Sequence, residues 1–362
     1  MNYAALKNLI DLPSKWLDGS GPFAEIALST RIRLARNIDE IPFPHRATHM
    51  QSEKVLEHAK KAVSRSSLLN DMQSIAMDRI THIEKDFLLE RHLVSMEHAH
   101  HDGSFKHLFF NNNQTISIMV NEEDHLRLQV IFSGLQLKEG WNLMNGIDDH
   151  LSQNLDYAYS DEFGYLCVCP TNVGTGMRAS VLMHLPALTK KKGIKYLVNY
   201  VSGRGATLRG YYGEGTKSQA CFFQISNGAS LGKREDEIIG SVEKTCLDIV
   251  AQEEESRKEL LKEEGESLKA RIMASYNALK KEHLISSREA MNFLSDIRLG
   301  LWYGFIPFKL SLLNDLLLLI SPAHLQMRYG KKLDAFARDV QRAIFLKGKI
   351  REVKSRSSSS KK

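Results

Sequence analysis

The chain changes character near residue 252, and this change constrains its fold more than any other feature. Residues 23–250 contain short apolar runs separated by clusters of glycine. In one such run Ile116, Ile118 and Val120 alternate with other side chains, which is the pattern of a strand. Glycine clusters are typical of the loops between strands. We therefore expect mixed α/β structure in this region.

The residues after 252 predict helices instead. Apolar side chains recur near helical spacing in a highly charged segment, which predicts a long amphipathic helix; they are Leu261, Leu268, Ile272 and Leu279. Ser286 and Glu289 have the spacing of a capping box, so a second helix begins there, and Gly300 could end it. Ser321-Pro322 predicts the start of a third helix. An all-helical region is expected here.

The sequence thus divides into four parts. We predict an N-terminal extension at residues 1–22, an α+β domain at 23–252, an all-helical domain at 253–350 and a basic, disordered tail at 351–362. The net charge is +6, and residues 322–362 hold 12 Lys/Arg against 3 Asp/Glu. This basic end could attract nucleic acid, acidic protein or phosphate, or it could be a solvated tail without a partner.

The composition indicates in which cellular compartment the protein is expected. Hydrophobic residues make up 43% and charged residues 25%, which is ordinary for a folded chain. The uncharged run at residues 316–327 is shorter than the roughly 17 to 25 apolar residues that span a membrane, and no signal peptide is indicated at the N-terminus. The four scattered cysteines make no disulfide scaffold. We expect a protein of the reducing cytoplasm with no membrane association.

Five arginines could serve one site: Arg31, Arg33, Arg127, Arg178 and Arg209. Arg31 and Arg33 are two residues apart, so on a strand both face the same side. Converging guanidinium groups would suit a triphosphate, whose oxygens they bind bidentately. Each arginine alone would equally fit a surface ion pair. The chain has neither a Walker A motif nor the protein-kinase motifs, so any nucleotide site is of another type.

Acidic residues could supply a base. Glu122, Glu123 and Asp124 are consecutive, and Glu214 lies in a glycine-rich loop. A pair of carboxylates can hold a cationic nucleophile such as a guanidinium group and take its proton. An acidic triplet is also common in solvated turns. The sequence leaves both interpretations open.

Cys169 begins a Cys-Pro-Thr-Asn-x-Gly turn in which Thr171 could donate to its sulfur. Nearby arginines would favour the thiolate, which could orient a guanidinium group; otherwise this is an inert cysteine. Cys167 is expected to be a core or strand residue. The histidine-rich cluster at residues 97–102 has the density of a metal site, but no second ligand group follows at a zinc spacing. We predict a polar loop and no metal site.

Four motifs in this order resemble the catalytic domain of the phosphagen (guanidino) kinases. They are STRIR at residues 29–33, NEEDHLR at 121–127, CPTNVGTGMRAS at 169–180 and RGYYGE at 209–214. The resemblance covers roughly residues 23–250 and implies an antiparallel sheet flanked by helices. Metabolite kinases of this family carry a helical domain before the first motif. Here a helical domain follows instead, which is similar to the bacterial protein-arginine kinases of the McsB type.

The resemblance implies an activity. The RDVQRA segment at residues 338–343 matches the phosphoarginine-binding motif of that subfamily, although an ordinary helix face would look the same. The implied reaction transfers the γ-phosphoryl group of Mg-ATP to arginine side chains of proteins. A kinase for a free guanidino metabolite and a weakly catalytic phosphoarginine-binding adaptor are the alternatives.

The resemblance also implies residue roles. Glu123 would be the base, with Glu122 as the alternative, Glu214 would be the second carboxylate, and Cys169 would position the substrate. Val168 stands where the subfamily has a small hydroxyl residue. Phosphoarginine would bind Arg338, Asp339 and Arg342. The nucleotide would bind the following residues: Ser29, Thr30, Arg31, Ile32, Arg33, His92, Arg127, Arg178, Ala179, Ser180, Val181, Leu182, Arg209, Gly210, Tyr211, Tyr212, Gly213 and Glu214.

Cofactors and partners follow from the same resemblance. ATP is expected, with Mg²⁺ held through its phosphates. Implied partners are protein substrates with accessible arginines, an activator of the McsA type, a heat-shock repressor of the CtsR type and a protease chaperone of the ClpC type. These would connect the enzyme to stress response and protein quality control. A homodimer or larger assembly is implied, and direct nucleic-acid binding is not expected.

Overall fold

The computed structural model describes residues 2–211 and 220–359. The chain forms an eight-stranded antiparallel sheet with helices on both faces and a helical C-terminal region, as predicted. The strands are β1 Ala27–Arg36, β2 Met72–Ala76, β3 His107–Asn111, β4 Ile116–Val120, β5 Leu126–Ser133, β6 Tyr159–Ser160, β7 Gly164–Tyr165, β8 Met177–His184, β9 Ala206–Gly210 and β10 Phe222–Asn227.

Helices make up most of the remainder. They are α1 Asn2–Leu9, α2 His49–Arg65, α3 His82–Glu90, α4 Met96–His100, α5 Leu137–Ser152, α6 Pro186–Ser202, α7 Glu235–Lys281, α8 Ser287–Trp302, α9 Leu310–Leu319, α10 Pro322–Tyr329 and α11 Ala335–Ser359. In the described part of the chain, short 3-10 helices lie at Lys15–Leu17, Ser67–Leu69 and Met77–Arg79.

Strand β1 lies near the centre of the sheet, whose order is β2-β3-β4-β5-β1-β8-β10-β9. In its register Arg33 lies opposite Gln129 of β5 and Arg178 of β8. Strands β6 and β7 form a separate small hairpin. The arginines of the four motifs therefore lie on strands of one sheet, namely β1, β5, β8 and β9, although they are far apart in the sequence.

Alternation along the central strands divides their side chains between two cores, while Ile75, Leu108 and Met119 of β2, β3 and β4 belong to a third core beside α3. On one face Ile32 and Val181 pack against α2, α5, α6 and the first half of α7. On the other face Leu28, Ile131 and Leu182 join the core of the helical region. The sheet is therefore buried on both sides near its centre, and one face contacts the C-terminal helices directly.

The long helix α7 spans 47 residues and connects the two cores. Its first half, to Val250, packs under the sheet, and its second half, from Leu260, packs in the helical core. Between them Glu253 and Arg257 form a buried ion pair at 2.7 Å. On this basis we propose a domain division near residue 252, inside α7 and before the kink at Glu264.

The N-terminal residues bridge the two regions. Trp16 and Leu17 are buried in the helical core. Asn314 of α9 donates to the Leu17 carbonyl at 2.9 Å, and Arg91, at the end of α3, donates to the Leu12 carbonyl at 2.6 Å. This segment therefore links α3 to the C-terminal helices.

The C-terminal helices differ from the sequence expectation in three places. Helix α8 begins at the predicted capping box of Ser286 but continues past Gly300, where a Cβ would lie only 2.4 Å from Ile272 of α7. That glycine permits close helix packing and does not end the helix. Helix α9 was not predicted. Helix α11 continues to Ser359, well into the expected disordered tail, since lysine and arginine are good helix formers.

Helix α9 is strongly apolar and is followed closely by α10. Among the described residues no single helix is both long and apolar enough to cross a membrane; this pair passes such a test only when joined across its 82° bend. Leu313, Leu316 and Leu317 of α9 are buried in the helical core. The apolar character of α9 is thus used for packing inside the protein.

Candidate active site

A cleft of about 720 Å³ opens on one face of the sheet and gathers most of the predicted site. It is lined by the arginine clamp, by which we mean Arg31, Arg33, Arg127, Arg178 and Arg209. Glu123, His92 and Cys169 line it too. These residues come from four strands and three loops, and the antiparallel sheet brings them to one place.

The register of the sheet sets the geometry of the clamp. Arg31 and Arg33 project from the same face of β1, and Arg33 lies directly opposite Arg178 of β8. Arg127 is the second residue of β5 and lies opposite Ala35, while the exposed Arg209 lies on β9 opposite Gln224. Like charges directly opposite each other in a sheet are destabilising. This arrangement therefore lowers the stability of the fold, so its presence needs an explanation other than stability.

The pKa values of the clamp show how unfavourable its charges are. Burial, followed by the charges of Arg127 and Arg178, lowers the pKa of Arg31 to about 9. Burial and the charges of Arg209 and Arg127 lower the pKa of Arg178 to about 10. The Nε atoms of Arg33 and Arg178 are buried and have no partner among the described residues. A polyanion would relieve both problems, so these residues fit a nucleotide triphosphate.

Neighbouring polar side chains hold the clamp in place. Gln224 accepts from Arg31 at 3.1 Å, and the hydroxyl of Ser226 accepts from Arg178 at 3.1 Å. Both lie on β10 and were missed by the sequence reasoning. A signal existed, because Gln224 and Ser226 are alternate polar residues in a buried strand.

The two adjacent glutamates have different environments. Glu122 is bound by Arg127 at 2.6 Å and accepts from the Ser95 hydroxyl and from the Glu123 N–H. Burial alone would raise the pKa of Glu122, but Arg127 and these donors lower it. Glu122 is therefore a fixed counterion that holds Arg127.

Glu123 is half-buried and lines the cleft. Burial raises its pKa, and the nearby carboxylates of Asp124 and Glu122 raise it further. A carboxylate with a raised pKa in a cleft has the properties of a general base. The geometry therefore favours Glu123 over Glu122 for that role.

Asp124 connects the turn that contains Glu122 and Glu123 to the segment that contains Cys169. Its carboxylate accepts from the side-chain amide of Asn37 at 2.7 Å and from the Val168 N–H at 2.8 Å. The second bond uses the backbone of Val168, so it does not depend on which side chain stands at that position. Asp124 thus holds the segment that contains Glu123 and the segment that contains Cys169 next to each other.

The two cysteines of this segment lie in different surroundings. Cys169 lines the cleft, and its sulfur lies 3.0 Å from the hydroxyl oxygen of Thr171. Cys167 is buried, and burial raises the pKa of its thiol to about 12. Cys169 alone of the two is placed to meet a substrate.

His92 lies at the inner end of the cleft between two aromatic rings. Its ring makes edge contacts with Trp16 at 5.3 Å and Tyr211 at 6.0 Å between centroids. Burial and the charges of Arg31 and Arg33 lower its pKa to about 3, so the ring is neutral. Neutral aromatic surfaces suit a purine base. Ser29, Ser180 and Leu182 border a small cavity beside it.

Other residues of the nucleotide motifs face away from the cleft. Thr30 donates to the Gly134 carbonyl at 2.7 Å and accepts from the Gln136 N–H, so it holds the start of α5. The side chains of Ile32, Ala179 and Val181 belong to the core under the sheet, and Gly210 pairs with Phe223 in the sheet. Tyr212, Gly213 and Glu214 lie outside the described residues.

The C-terminal region forms one wall of the cleft, which the sequence did not suggest. Pro322, Ala323 and Gln326 of α10 line it. Glu90 accepts from the N–H groups of Ala323 and His324 at 2.8 and 2.9 Å, and so caps α10. Burial raises the pKa of Glu90 to about 8.

The RDVQRA segment lies on α11, outside the cleft lining. Arg342 is 1% exposed and donates to the carbonyls of Ile320 and Ile285, both at 2.9 Å, and to the Asp339 carboxylate. Arg338 is half-buried and donates to the Leu333 carbonyl at 2.8 Å. Arg342 thus holds α11 against its neighbours, and Arg338 is the more accessible charge.

The histidines of the cluster at residues 97–102 do not converge. His98 is buried, His100 binds Asp86 at 2.8 Å, and His101 is exposed. Lys106 donates to the carbonyls of Glu97 and His101, both at 2.7 Å, and so fixes the loop.

Comparison with known proteins agrees with this geometry. The model of the ATP:guanido phosphotransferase C-terminal catalytic domain matches residues 54–256, and that of the protein-arginine kinase McsB C-terminal domain matches residues 265–361. A protein-arginine kinase of Symbiobacterium thermophilum is 42% identical over 93% of this chain and 96% of its own length. One from Halothermothrix orenii is 43% identical over 96% of this chain and 99% of its own length.

Solved structures give the same fold. A lombricine kinase superposes with a TM-score of 0.57 at 25% identity, covering 67% of this chain and 71% of that one. The duplicated taurocyamine kinase of Schistosoma mansoni, with bound components of a transition-state analogue, gives a TM-score of 0.59 at 25% identity, covering 67% of this chain and 34% of that one. The similarity to the curated relatives extends over nearly the whole chain, and the chain therefore belongs to the protein-arginine kinase family of guanidino phosphotransferases.

Proposed function

We propose that this enzyme transfers the γ-phosphoryl group of ATP to arginine side chains in proteins. The observation that carries the proposal is the meeting of the arginine clamp with the carboxylate of Glu123 in one cleft. A bound polyphosphate would neutralise the arginines that repel each other. A cationic nucleophile would pair with the carboxylate beside them. Phosphoryl transfer requires little more from a protein than charge neutralisation and in-line positioning.

The arginine clamp would bind the phosphates of ATP, and Mg²⁺ would be held through those phosphates. When bound, Mg-ATP supplies the transferable phosphoryl group. The clamp neutralises charge as it spreads over that group, and Gln224 and Ser226 keep Arg31 and Arg178 directed into the cleft. His92 and Tyr211 would contact the base of the nucleotide.

Glu123 would orient the substrate guanidinium group and accept its proton. Arginine is a poor nucleophile because its pKa exceeds about 12, so it needs a positioned base. The raised pKa of Glu123 makes its carboxylate a stronger base than an ordinary glutamate. We propose Glu214 as the second orienting carboxylate and Cys169 as a positioning group that forms no bond to phosphorus.

The test is incubation of the purified protein with Mg-ATP, an arginine-rich protein and free arginine. Products are read by mass spectrometry at neutral pH, which preserves the acid-labile N–P bond. Phosphate on protein arginines, lost in Glu123→Gln, is the expected result. Phosphate on free arginine alone would instead assign a metabolite kinase.

We further propose that the helical domain binds phosphoarginine through Arg338 and Asp339, on a helix that Arg342 holds in place. The match of residues 265–361 to the McsB C-terminal domain and the partial exposure of Arg338 support this. Titration calorimetry with free phosphoarginine tests it. Binding should weaken at least tenfold in Arg338→Gln, since a charge-assisted phosphate contact is lost, and should persist in the control Arg351→Gln.

We propose a cytoplasmic role in stress response with the partners that the family implies. These are an activator of the McsA type, a repressor of the CtsR type, a protease chaperone of the ClpC type and a second copy of this chain. Co-purification from the source cells, compared between the native protein and Glu123→Gln, would test each partner. Loss of all four from both samples would refute this part of the proposal.

A further inference from the structure

A second cavity of about 350 Å³ adjoins the catalytic cleft. We call it the flanking cavity; its wall includes Glu97, Asp102, Lys106, Asn121, Glu123 and Val168. Glu97 and Glu123 line both spaces, whereas the arginine clamp lines the cleft and not the flanking cavity. A guanidinium group held at Glu123 would therefore have the nucleotide on one side and the flanking cavity on the other, and a protein substrate would extend into this cavity.

The charges in this wall favour a cation. Glu97 is half-buried and Asp102 is exposed, while Glu122 is already neutralised by Arg127. The ammonium group of Lys106 is committed to two backbone carbonyls, those of Glu97 and His101. Carboxylates thus outnumber free cations in the wall, and an entering ammonium or guanidinium group would be attracted.

Asn121 provides an independent indication of a ligand. It is 3% exposed, and its side-chain N–H groups donate to the carbonyls of Ser52 at 2.9 Å and Phe105 at 3.2 Å. Its side-chain oxygen is buried without a hydrogen-bond partner among the described residues. A buried acceptor without a donor is costly. Because Asn121 lines the flanking cavity, an N–H group from a ligand there is the donor that this oxygen lacks, which favours a hydrogen-bond donor over an anion.

Chain geometry sets the distance between the two subsites. Asn121 and Glu123 are two residues apart in the turn between β4 and β5, so their Cα atoms lie at most about 7.6 Å apart. In an extended peptide, side chains at positions i and i+2 share one face and lie roughly 6.6 Å apart. The two spacings are compatible, so a substrate with its target arginine at Glu123 could place the side chain two positions away near Asn121.

We propose that the flanking cavity binds a lysine or arginine side chain two positions from the target arginine of the substrate protein. The proposal rests on the proposed function, since it assumes that the target arginine lies at Glu123. It also gives the histidine-rich loop a role, because that loop carries Glu97 and Asp102 and is locked by Lys106.

The test uses peptides with one arginine and one lysine two positions away, on either side, each matched to the same peptide with acetyl-lysine. Acetylation keeps the length of the side chain and removes its charge. Binding is measured by fluorescence anisotropy without nucleotide, and initial rates of phosphorylation are measured with Mg-ATP. With the lysine on at least one side of the arginine, the lysine peptide should bind about fivefold to tenfold more tightly than its acetylated match.

Enzyme variants locate the effect. Asp102→Asn should reduce this preference at least twofold, whereas Asp161→Asn, an exposed change that lines neither cavity, should leave it intact. Equal binding of lysine and acetyl-lysine peptides in both positions of the lysine would overturn the proposal, as would a full preference in Asp102→Asn. A lysine preference in binding without any phosphorylation would support the flanking cavity and refute the proposed function, so the two failures are distinguishable.

Discussion

Replacement of Arg178 by Met should make the nucleotide-free protein more stable while removing its response to nucleotide. Arg178 lies directly opposite Arg33, and burial with the charges of Arg209 and Arg127 lowers its pKa from 12.5 to about 10. At about 1.36 kcal/mol per pKa unit, the charged side chain costs at most ~3 kcal/mol. Loss of its bond to Ser226 offsets about 1 kcal/mol. We expect a net gain of about 1–2 kcal/mol.

The assay is thermal unfolding with and without Mg-ADP. An unfolding entropy of ~2.1 cal/mol/K per residue over 362 residues converts this gain into a rise in Tm of about 1–3 °C. Nucleotide at about 100 times its Kd should stabilise the native protein by ~2.7 kcal/mol and Arg178→Met by much less. The variant would thus be the more stable protein without nucleotide and the less stable one with it.

The control is Arg46→Met, which changes an exposed arginine outside the cleft and should alter neither Tm. A variant that is destabilised by more than about 1 kcal/mol without nucleotide would refute the reasoning, because the clamp would then be a net stabilising structure. So would a full nucleotide response, because the clamp would then not bind phosphate.

Three further predictions test other parts of the structure. Glu123→Gln should lower kcat by roughly 10²- to 10⁴-fold with little change in nucleotide affinity, as expected for a base. Glu122→Gln should instead lower the free energy of unfolding by about 3–5 kcal/mol, because it leaves a partly buried arginine without its counterion; similar stability losses in both variants would contradict this division of roles. Gly300→Ala should cost about 1–3 kcal/mol in chemical denaturation, since its Cβ would meet α7 at 2.4 Å, whereas Gly348→Ala, with open space around it, should not. Because burial raises the pKa of Glu90 from 4.5 to about 8, the folded chain holds a proton that the unfolded chain releases, so the free energy of unfolding should fall as pH rises from about 4.5 to 8. Glu90→Gln should flatten that dependence, and an unchanged slope would show that Glu90 is ionised in the folded protein.

The arginine clamp illustrates what could be read from the sequence. The spacing of Arg31 and Arg33 predicted a shared face, and both line the cleft. The role of Gln224 and Ser226 in holding the clamp could have been predicted, because they are alternate polar residues in the buried strand β10. The opposition of Arg33 and Arg178 could not, because strand register depends on pairing between segments that are distant in the chain.

The glutamate turn illustrates the opposite case. Glu122 and Glu123 are chemically identical neighbours, so the sequence left Glu122 as an alternative to Glu123, the base that we propose. Their difference arises from Arg127 and Ser95, which bind only Glu122 in the folded chain. The same holds for α10, whose place in the wall of the cleft depends on the capping of its N-terminus by Glu90.

The sequence by itself determined the fold class, the family and the identity of the clamp arginines, because these follow from local periodicity and from motifs that need no partner. Tertiary structure decided which glutamate faces the cleft, which C-terminal helix closes it and where a second cavity lies beside Glu123. These depend on burial and on contacts between residues far apart in the chain. Local spacing contains no information about such contacts, and the pKa of each carboxylate is set by them.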